Sequence, residues 1–462
     1  MKTPWSTDEW KRVVVYGLGS SGLAAARFLV SQGVAVIGVD QRSDVGVDLA
    51  AESLESSLLG VDDVELPGAV DAVVLSPGVP GHRRLLVEAR ESGLPVLSEV
   101  ELAFPYLRGP VVAVTGSNGK SSTVAMTAGI LEQAGLQVEL CGNIGEPLCS
   151  KIEGPPGRVF VVELSSFQLE EISLFRADCA ALLNLSPDHL DRYESFGDYV
   201  SAKTRIFERQ TADSTAVLNA DDERVAAIGE ELPRGRLRYF SRAGEVRDGC
   251  YADGSEVVEV SEEGEVKRLF SKSDLRVSGL HNLENAMAAA LLARSRGVDA
   301  AAVRRGLAEF RGLPHRLEEV RKRHGVVWFD DSKGTNVGAT EKSLEGFADH
   351  SVHLILGGRA KGTNPSALRA AVERKARRLY LIGESADEFE EALGACVDSE
   401  NVGTLERAIF SADEQARPGE VVLLSPACAS FDQFESFEDR GECFQALVNA
   451  LNGESGVEEA RL

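Results

Sequence analysis

At 462 residues, with 43% hydrophobic residues and a net charge of −24, the chain is long enough for about two to four domains with full cores and too acidic for general nucleic-acid binding. It has no apolar run of about 18 residues for a membrane span, and its N-terminus lacks the apolar stretch of a secretory signal. Seven scattered cysteines without a CxxC pair suit reduced thiols and no structural zinc site, so a cytoplasmic protein that handles small molecules is expected.

Residues 11–106 alternate strand-like runs (VVVYG, VAVIGVD, AVVLS, PVLS) with helical ones, the pattern of βα units on a parallel sheet. Gly17-Leu18-Gly19-Ser20-Ser21-Gly22 follows the first strand, and Asp40 ends the second. This is the dinucleotide fingerprint, and alone it predicts a nicotinamide dehydrogenase. The chemistry requires only that a diphosphate approach the backbone closely. A uridine diphosphate sugar fits as well, and so does a turn without a ligand. Candidate contacts are Gly19, Ser20, Ser21, Asp40, Gln41 and Arg42. Ser76-Pro77-Gly78 ends AVVLS on the same carboxyl edge, where open α/β sheets bind ligands.

A hinge at Leu107-Arg108-Gly109-Pro110 leads into residues 107–312. Val111–Thr123 reads VVAVTGSNGKSST: a buried strand, a glycine loop and the start of a helix that runs to about Gln133. Backbone N–H groups of Gly116, Ser117, Asn118 and Gly119 can close around an anion at a helix N-terminus. Lys120 would neutralise phosphate charge, and the Ser121 hydroxyl, with Ser122 beside it, would serve Mg²⁺. The strand VFVVE ends in Glu163, a common way to set a Mg²⁺ ligand beside such a loop. The strand ALLNLS runs into Pro187-Asp188-His189-Leu190-Asp191, where chemistry or helix-capping aspartates are both consistent with the spacing. Lys203 sits on a helix just downstream and by itself reads as a surface lysine. A turn-rich stretch near 232–280 predicts a small β-region. His281-Asn282 and Asn285 open an alanine-rich helix; amides suit an adenine edge, and capping explains Asn282 equally.

After a second hinge, Arg311-Gly312-Leu313-Pro314, residues 313–462 restart the alternation with VVWFDDS, VHLILGG, RRLYLIG and EVVLLSPA.

TGSNGKSS, ELSSFQL, NLSPDHLDRY with YVSAK, and GLHNLEN resemble, in order, the central domain of the Mur ligases, the ATP-dependent amide ligases of peptidoglycan precursor synthesis. GLPHRLE, DDSKGTN, LILGGRAKG and SPACASFDQFESFEDRG resemble the members that add D-glutamate to UDP-N-acetylmuramoyl-L-alanine. The resemblance implies an α/β protein of three domains: a Rossmann-like UDP-substrate domain (1–106), a P-loop-type ATPase domain (107–312) and a Rossmann-like amino-acid domain (313–462). It implies ATP and two Mg²⁺ ions, with Lys203 carbamylated and acting with Ser121, Glu163 and His189 toward metal. It places Asn143 near substrate and phosphate, and His315, Arg316 and Asp331 with Asn282 and Asn285 at the nucleotide. Lys333, Thr335, Lys361, Ser430 and Phe437 fall to D-glutamate. A monomer with no nucleic-acid or membrane partner is expected. Rival expectations are a Mur-type ligase for another amino acid, an NAD-dependent dehydrogenase built on GLGSSG, and a non-enzymatic nucleotide-binding regulator.

Overall fold

The computed structural model describes all residues except 1–4, 6, 46–51, 191, 233–234, 278, 361, 363 and 452–462. Lys361 and Asp191, both singled out above, therefore lie outside the described residues. The chain divides into two compact units. One is Met1–Leu185, Gly197–Leu275 and Glu284–Phe310; the other is Ser186–Phe196, Arg276–Leu283 and Arg311–Leu462.

The first unit carries two sheets. β1 (Arg12–Tyr16), β2 (Ala35–Asp40), β3 (Ser56–Leu59), β4 (Ala72–Leu75) and β5 (Val96–Ser98) pair in the order β3-β2-β1-β4-β5, all parallel. The chain order reverses between β1 and β4, so a crevice opens beyond their carboxyl ends. The second sheet holds β6 (Val111–Thr115), β7 (Val138–Gly142), β8 (Val159–Glu163), β9 (Cys179–Leu182), β10 (Thr215–Asn219), β11 (Arg236–Ser241), β12 (Gly249–Asp253), β13 (Glu256–Val260) and β14 (Val266–Ser271). Its order is β14-β13-β12-β11-β10-β9-β6-β8-β7. β12 to β14 are antiparallel neighbours and form the expected β-region.

The second unit holds β15 (Glu318–Arg323), β16 (Val326–Asp330), β17 (Val352–Gly357), β18 (Ala376–Ile382), β19 (Ser399–Gly403) and β20 (Val421–Leu424), in the order β15-β16-β20-β17-β18-β19. Successive strand residues point to opposite faces. Val352, Leu354 and Leu356 of β17 accordingly join one apolar cluster, and Ile355 joins the other. Helices cover both faces, and that is why these strands read as continuous apolar runs.

Two buried carboxylates tie the first sheet to the second. Glu101 accepts from Ser173 Oγ (2.7 Å), Leu174 N (2.7 Å) and Phe175 N (2.9 Å). Glu99 accepts from Cys149 N at 2.5 Å, while its Oε2 is buried without a hydrogen-bond partner among the described residues. Burial pushes the Glu99 carboxyl from 4.5 up to about 7. Between those values the unfolded chain releases a proton that the folded chain keeps. Stability therefore falls as pH rises through that window and is level above it. At about 1.4 kcal/mol per unit, the loss is of the order of 3 kcal/mol. Glu99→Gln should remove it: the variant should melt at a higher temperature than the parent at about pH 8, and the gap should shrink toward about pH 5. A gap that stays constant over that range would contradict this.

Candidate active site

Two of the three fingerprint glycines, Gly17 and Gly22, are demanded by close approach, whereas a Cβ on Gly19 would meet nothing within 4 Å. Gly17 has φ +88, and a Cβ on it would lie 2.7 Å from Ser76 Cβ; a Cβ on Gly22 would lie 1.8 Å from Gly17 O. The helix Ser20–Ser31 thus starts hard against β1. Gly19, Ser20, Ser21, Asp40, Gln41, Arg42, Ser76, Pro77 and Gly78 all line one cleft of about 430 Å³, and Arg83 joins them. Asp40 accepts from Leu18 N at 2.7 Å, Arg42 N at 2.8 Å and Arg42 Nε at 3.1 Å. Burial opposes its ionisation, but the Arg42 side chain and the two backbone donors outweigh burial and hold the carboxyl below its usual range. The acid that would clasp a ribose diol in a dehydrogenase is engaged by an arginine.

In the second sheet the glycine loop joins β6 to the helix Lys120–Gln133, which begins where the sequence predicts. Gly119 has φ +86, and a Cβ there would fall 2.2 Å from Asn285 Oδ1. Asn285 thus packs on the loop and also accepts from Thr123 Oγ1 at 3.4 Å. Asn184 braces the loop from β9's end: its Oδ1 accepts from Asn118 N at 2.8 Å and its Nδ2 donates to Asn118 O at 3.0 Å. Ser117 Oγ lies 2.9 Å from Tyr199 Oη. Ser121 and Ser122 are buried at the helix start, whose N–H groups and dipole favour anions.

Two lysines converge on one carbonyl. Lys120 Nζ donates to Gly116 O and Ser117 O, both at 2.9 Å. Lys203 Nζ donates to Gly116 O at 2.9 Å and lies over the Tyr199 ring. Lys203 is only 2% exposed, so the reading of it as a surface lysine is overturned. On the neighbouring strand, Glu163 Oε1 accepts from Asn143 Nδ2 at 2.7 Å. Glu163 Oε2 is buried without a hydrogen-bond partner among the described residues. A carboxylate oxygen in that state suits a hard divalent cation such as Mg²⁺.

In the second unit, Asn282 and Arg316 line a cleft of about 500 Å³ with Phe329 and Phe347. His315 and Asp331 are buried. His315 Nδ1 lies 2.7 Å from Asp330 Oδ2, and a Cβ on Gly441 would meet that nitrogen at 2.1 Å. Asp331 accepts from Ser343 Oγ and Ser425 Oγ at 2.7 Å each; burial pushes its carboxyl up to about 6 against those bonds. Lys333 Nζ sits 3.7 Å from the centroid of the Phe437 ring. The buried Arg440 holds this group together. Its Nε donates to Ser332 Oγ at 2.9 Å, and its Nη2 to Ser332 O at 2.9 Å and Cys428 O at 3.1 Å. Ser430 is buried on the same loop as Cys428, and Ser332 Oγ donates to Phe437 O at 2.8 Å. Thr335 follows Lys333 in a tight turn, its N–H donating to Lys333 O at 2.8 Å. His189 adopts φ +55.

Three family profiles match in order: "Mur ligase MurD-like, N-terminal domain" over residues 11–98, "Mur ligase middle domain" over 114–293 and "Mur ligase, glutamate ligase domain" over 315–428. A relative from Geobacter sp. (strain M21), named UDP-N-acetylmuramoylalanine--D-glutamate ligase, is 42% identical over 446 residues, which cover 95% of this chain and 98% of the relative. The chain belongs to the Mur ligase family. A like-named protein of Pelobacter propionicus is 43% identical over 450 residues, covering 96% of this chain and 99% of the relative. Among solved structures, a pseudomurein peptide ligase type C from Methanothermus fervidus superposes with TM-score 0.60 at 22% identity, covering 96% of this chain and all of that one. UDP-N-acetylmuramate-alanine ligase MurC from Thermotoga maritima gives TM-score 0.57 at 19% identity, covering 96% of this chain and 100% of that one. These two likenesses speak for the three-domain α/β fold.

Several residues that hydrogen-bond to these candidate residues or their neighbours were not singled out from sequence: Asn184 and Tyr199 in the first unit, and Asn336, Arg440 and Gln445 in the second. Arg440 lies inside SPACASFDQFESFEDRG, and the glycine after it marks the close approach to His315. Gln445 Nε2 donates to Asp330 Oδ2 at 2.9 Å and Glu318 Oε2 at 3.1 Å. His315, Glu318 and Asp330 bring potential metal-ligand atoms within 4.8 Å of one another, and the Gln445 amide already bridges that group. Among the described residues, no helix is long and apolar enough to cross a membrane.

Proposed function

We infer that this Mur ligase adds D-glutamate to UDP-N-acetylmuramoyl-L-alanine, driven by ATP, in peptidoglycan precursor synthesis in the cytoplasm. The name shared by relatives about 42% identical over nearly their full length supports it. So does a glycine loop bearing Lys120 next to a buried carboxylate with one unpartnered oxygen. Residues 1–106 take the UDP substrate, with the phosphates at Gly19, Ser20 and Ser21 and at Ser76-Pro77-Gly78. Residues 107–312 take the ATP phosphates on Gly116–Ser122, and Asn282 with Arg316 serves the nucleoside. Residues 313–462 take D-glutamate at Lys333, Thr335, Lys361, Ser430 and Phe437. Lysines there would hold a dicarboxylate in an otherwise acidic protein.

A carboxylate does not react with an amine directly, because oxide is too poor a leaving group. The γ-phosphoryl of ATP is transferred to the alanyl carboxylate oxygen, giving an acyl phosphate and ADP. The D-glutamate nitrogen, having lost a proton, attacks the carbonyl carbon. The C–N bond forms, the nitrogen gives up a second proton, and the tetrahedral intermediate collapses as the C–O bond breaks and phosphate leaves. Catalysis of this kind is mostly positioning and charge neutralisation. Lys120 supplies positive charge along the phosphates. Ser121, Glu163, His189 and Lys203 are the residues that would hold Mg²⁺, which neutralises the phosphate and carboxylate oxygens brought together. Lys203 serves as a carbamate: its ammonium loses one proton, the neutral nitrogen adds to CO₂ and loses a second, so a cation becomes an anionic oxygen donor fit for Mg²⁺. Two ammonium groups beside Gly116 O repel each other, and this conversion relieves the repulsion.

The engaged Asp40 supports a UDP sugar over NAD in the first cleft. Calorimetric titration of the whole chain should give saturable binding of the UDP precursor and none of NAD. Saturable NAD binding without UDP-precursor binding would return the dehydrogenase reading.

A further inference from the structure

Asn336 ends the DDSKGTN segment and caps the helix Val337–Glu345, its Oδ1 accepting from Ala339 N at 2.8 Å. Its Nδ2 donates to Asp188 Oδ2 at 2.9 Å. Both side chains are buried. Asp188 turns its other oxygen, Oδ1, to the backbone N–H of His189 at 3.0 Å. His189 has φ +55, a conformation that L residues avoid and that persists where the surroundings impose it. One amide side chain therefore joins the turn carrying His189 to the helix that follows Lys333 and Thr335. A helix cap needs only an oxygen; serine and aspartate serve as well. What asparagine adds is the N–H group that engages the buried carboxylate.

We propose that Asn336 is a positioning residue for ligation: by fixing Asp188 it holds His189 in its left-handed turn and keeps that turn in register with the loop of Lys333. This rests on the role given to His189 above. Charge on the metal side comes from other groups, so the bond matters for where His189 sits.

Asn336→Ser and Asn336→Asp keep a capping oxygen and lose the donor to Asp188. Asp188→Asn alone leaves one acceptor oxygen for two donors, Asn336 Nδ2 and the His189 N–H, so one of the two bonds is lost. The double substitution Asn336→Asp/Asp188→Asn restores the bond with donor and acceptor exchanged, and keeps both the cap and an oxygen for the His189 N–H. Each single variant should lower kcat roughly 10- to 100-fold while the KM for the UDP substrate holds; Asn336→Asp, which sets two buried carboxylates side by side, should also melt lower than the parent, and the double substitution should melt near it. Amide hydrogen exchange in peptides spanning 186–196 should accelerate in the single variants and return to the parental rate in the double, with kcat recovering to within about threefold of the parent. Unchanged exchange in the single variants, or exchange in the double as fast as in them, would overturn the proposal. A His189→Ala enzyme with full turnover would overturn the role of His189 instead, and the exchange data tell the two failures apart.

Discussion

Lys120→Ala should abolish ligation and leave the fold intact. The Lys120 ammonium reaches across its own loop to Gly116 O and Ser117 O, so it belongs to the anion cradle. The charge it supplies counts most where phosphate oxygens crowd in the transition state, and removing one such group costs roughly 10²- to 10³-fold in turnover. The melting temperature should stay at the parental value. A variant that keeps more than about a tenth of parental turnover, a difference under about 1.4 kcal/mol, would remove Lys120 from phosphoryl transfer.

Lys203→Ala should be nearly inactive, and acetate or formate at matched ionic strength should restore part of the turnover. Lys203 is buried 2.9 Å from Gly116 O and lies over Tyr199, so its loss leaves a gap beside the glycine loop. If the working group is a carbamate, a short carboxylate fills the gap with the same kind of oxygen donor. Lys203→Arg should fail, because guanidinium keeps the cation and does not form the carbamate. A fully active Lys203→Arg enzyme would exclude the carbamate. Rescue of the alanine variant by ethylammonium, with none by acetate, would show that the cation itself is what the site uses.

The parallel sheets were legible because their strands are covered on both faces and read as apolar runs. VVVY, AVVL, VVAVT, VFVVE and VHLILG each became a buried strand. Strands at the margins were not legible. β3 is SSLL with three of four residues exposed, and β15 is EEVRKR; edge strands need no apolar pattern. The glycine loops were legible because at Gly17, Gly22 and Gly119 close approach leaves room for no other residue, as Gly22 against Gly17 O makes plain. The burial of Lys203 was not, since a lysine four residues after Tyr199 looks the same on a solvated helix. Nor was the partnership of Asn336 with Asp188, or of Arg440 with Ser332, because pairs that lie more than a hundred residues apart in sequence leave no trace in local periodicity. The grouping of Ser186–Phe196 with the third sheet was hidden for the same reason.

Phosphate release from ATP, measured with UDP-N-acetylmuramoyl-L-alanine and one amino acid at a time, tests the assignment most directly. Phosphate should appear in step with amide product when D-glutamate is present, and not with L-alanine, L-lysine or meso-diaminopimelate; no NADH absorbance should develop when NAD is supplied. Phosphate release that another amino acid drives while D-glutamate does not, or NADH formation without phosphate release, would contradict it.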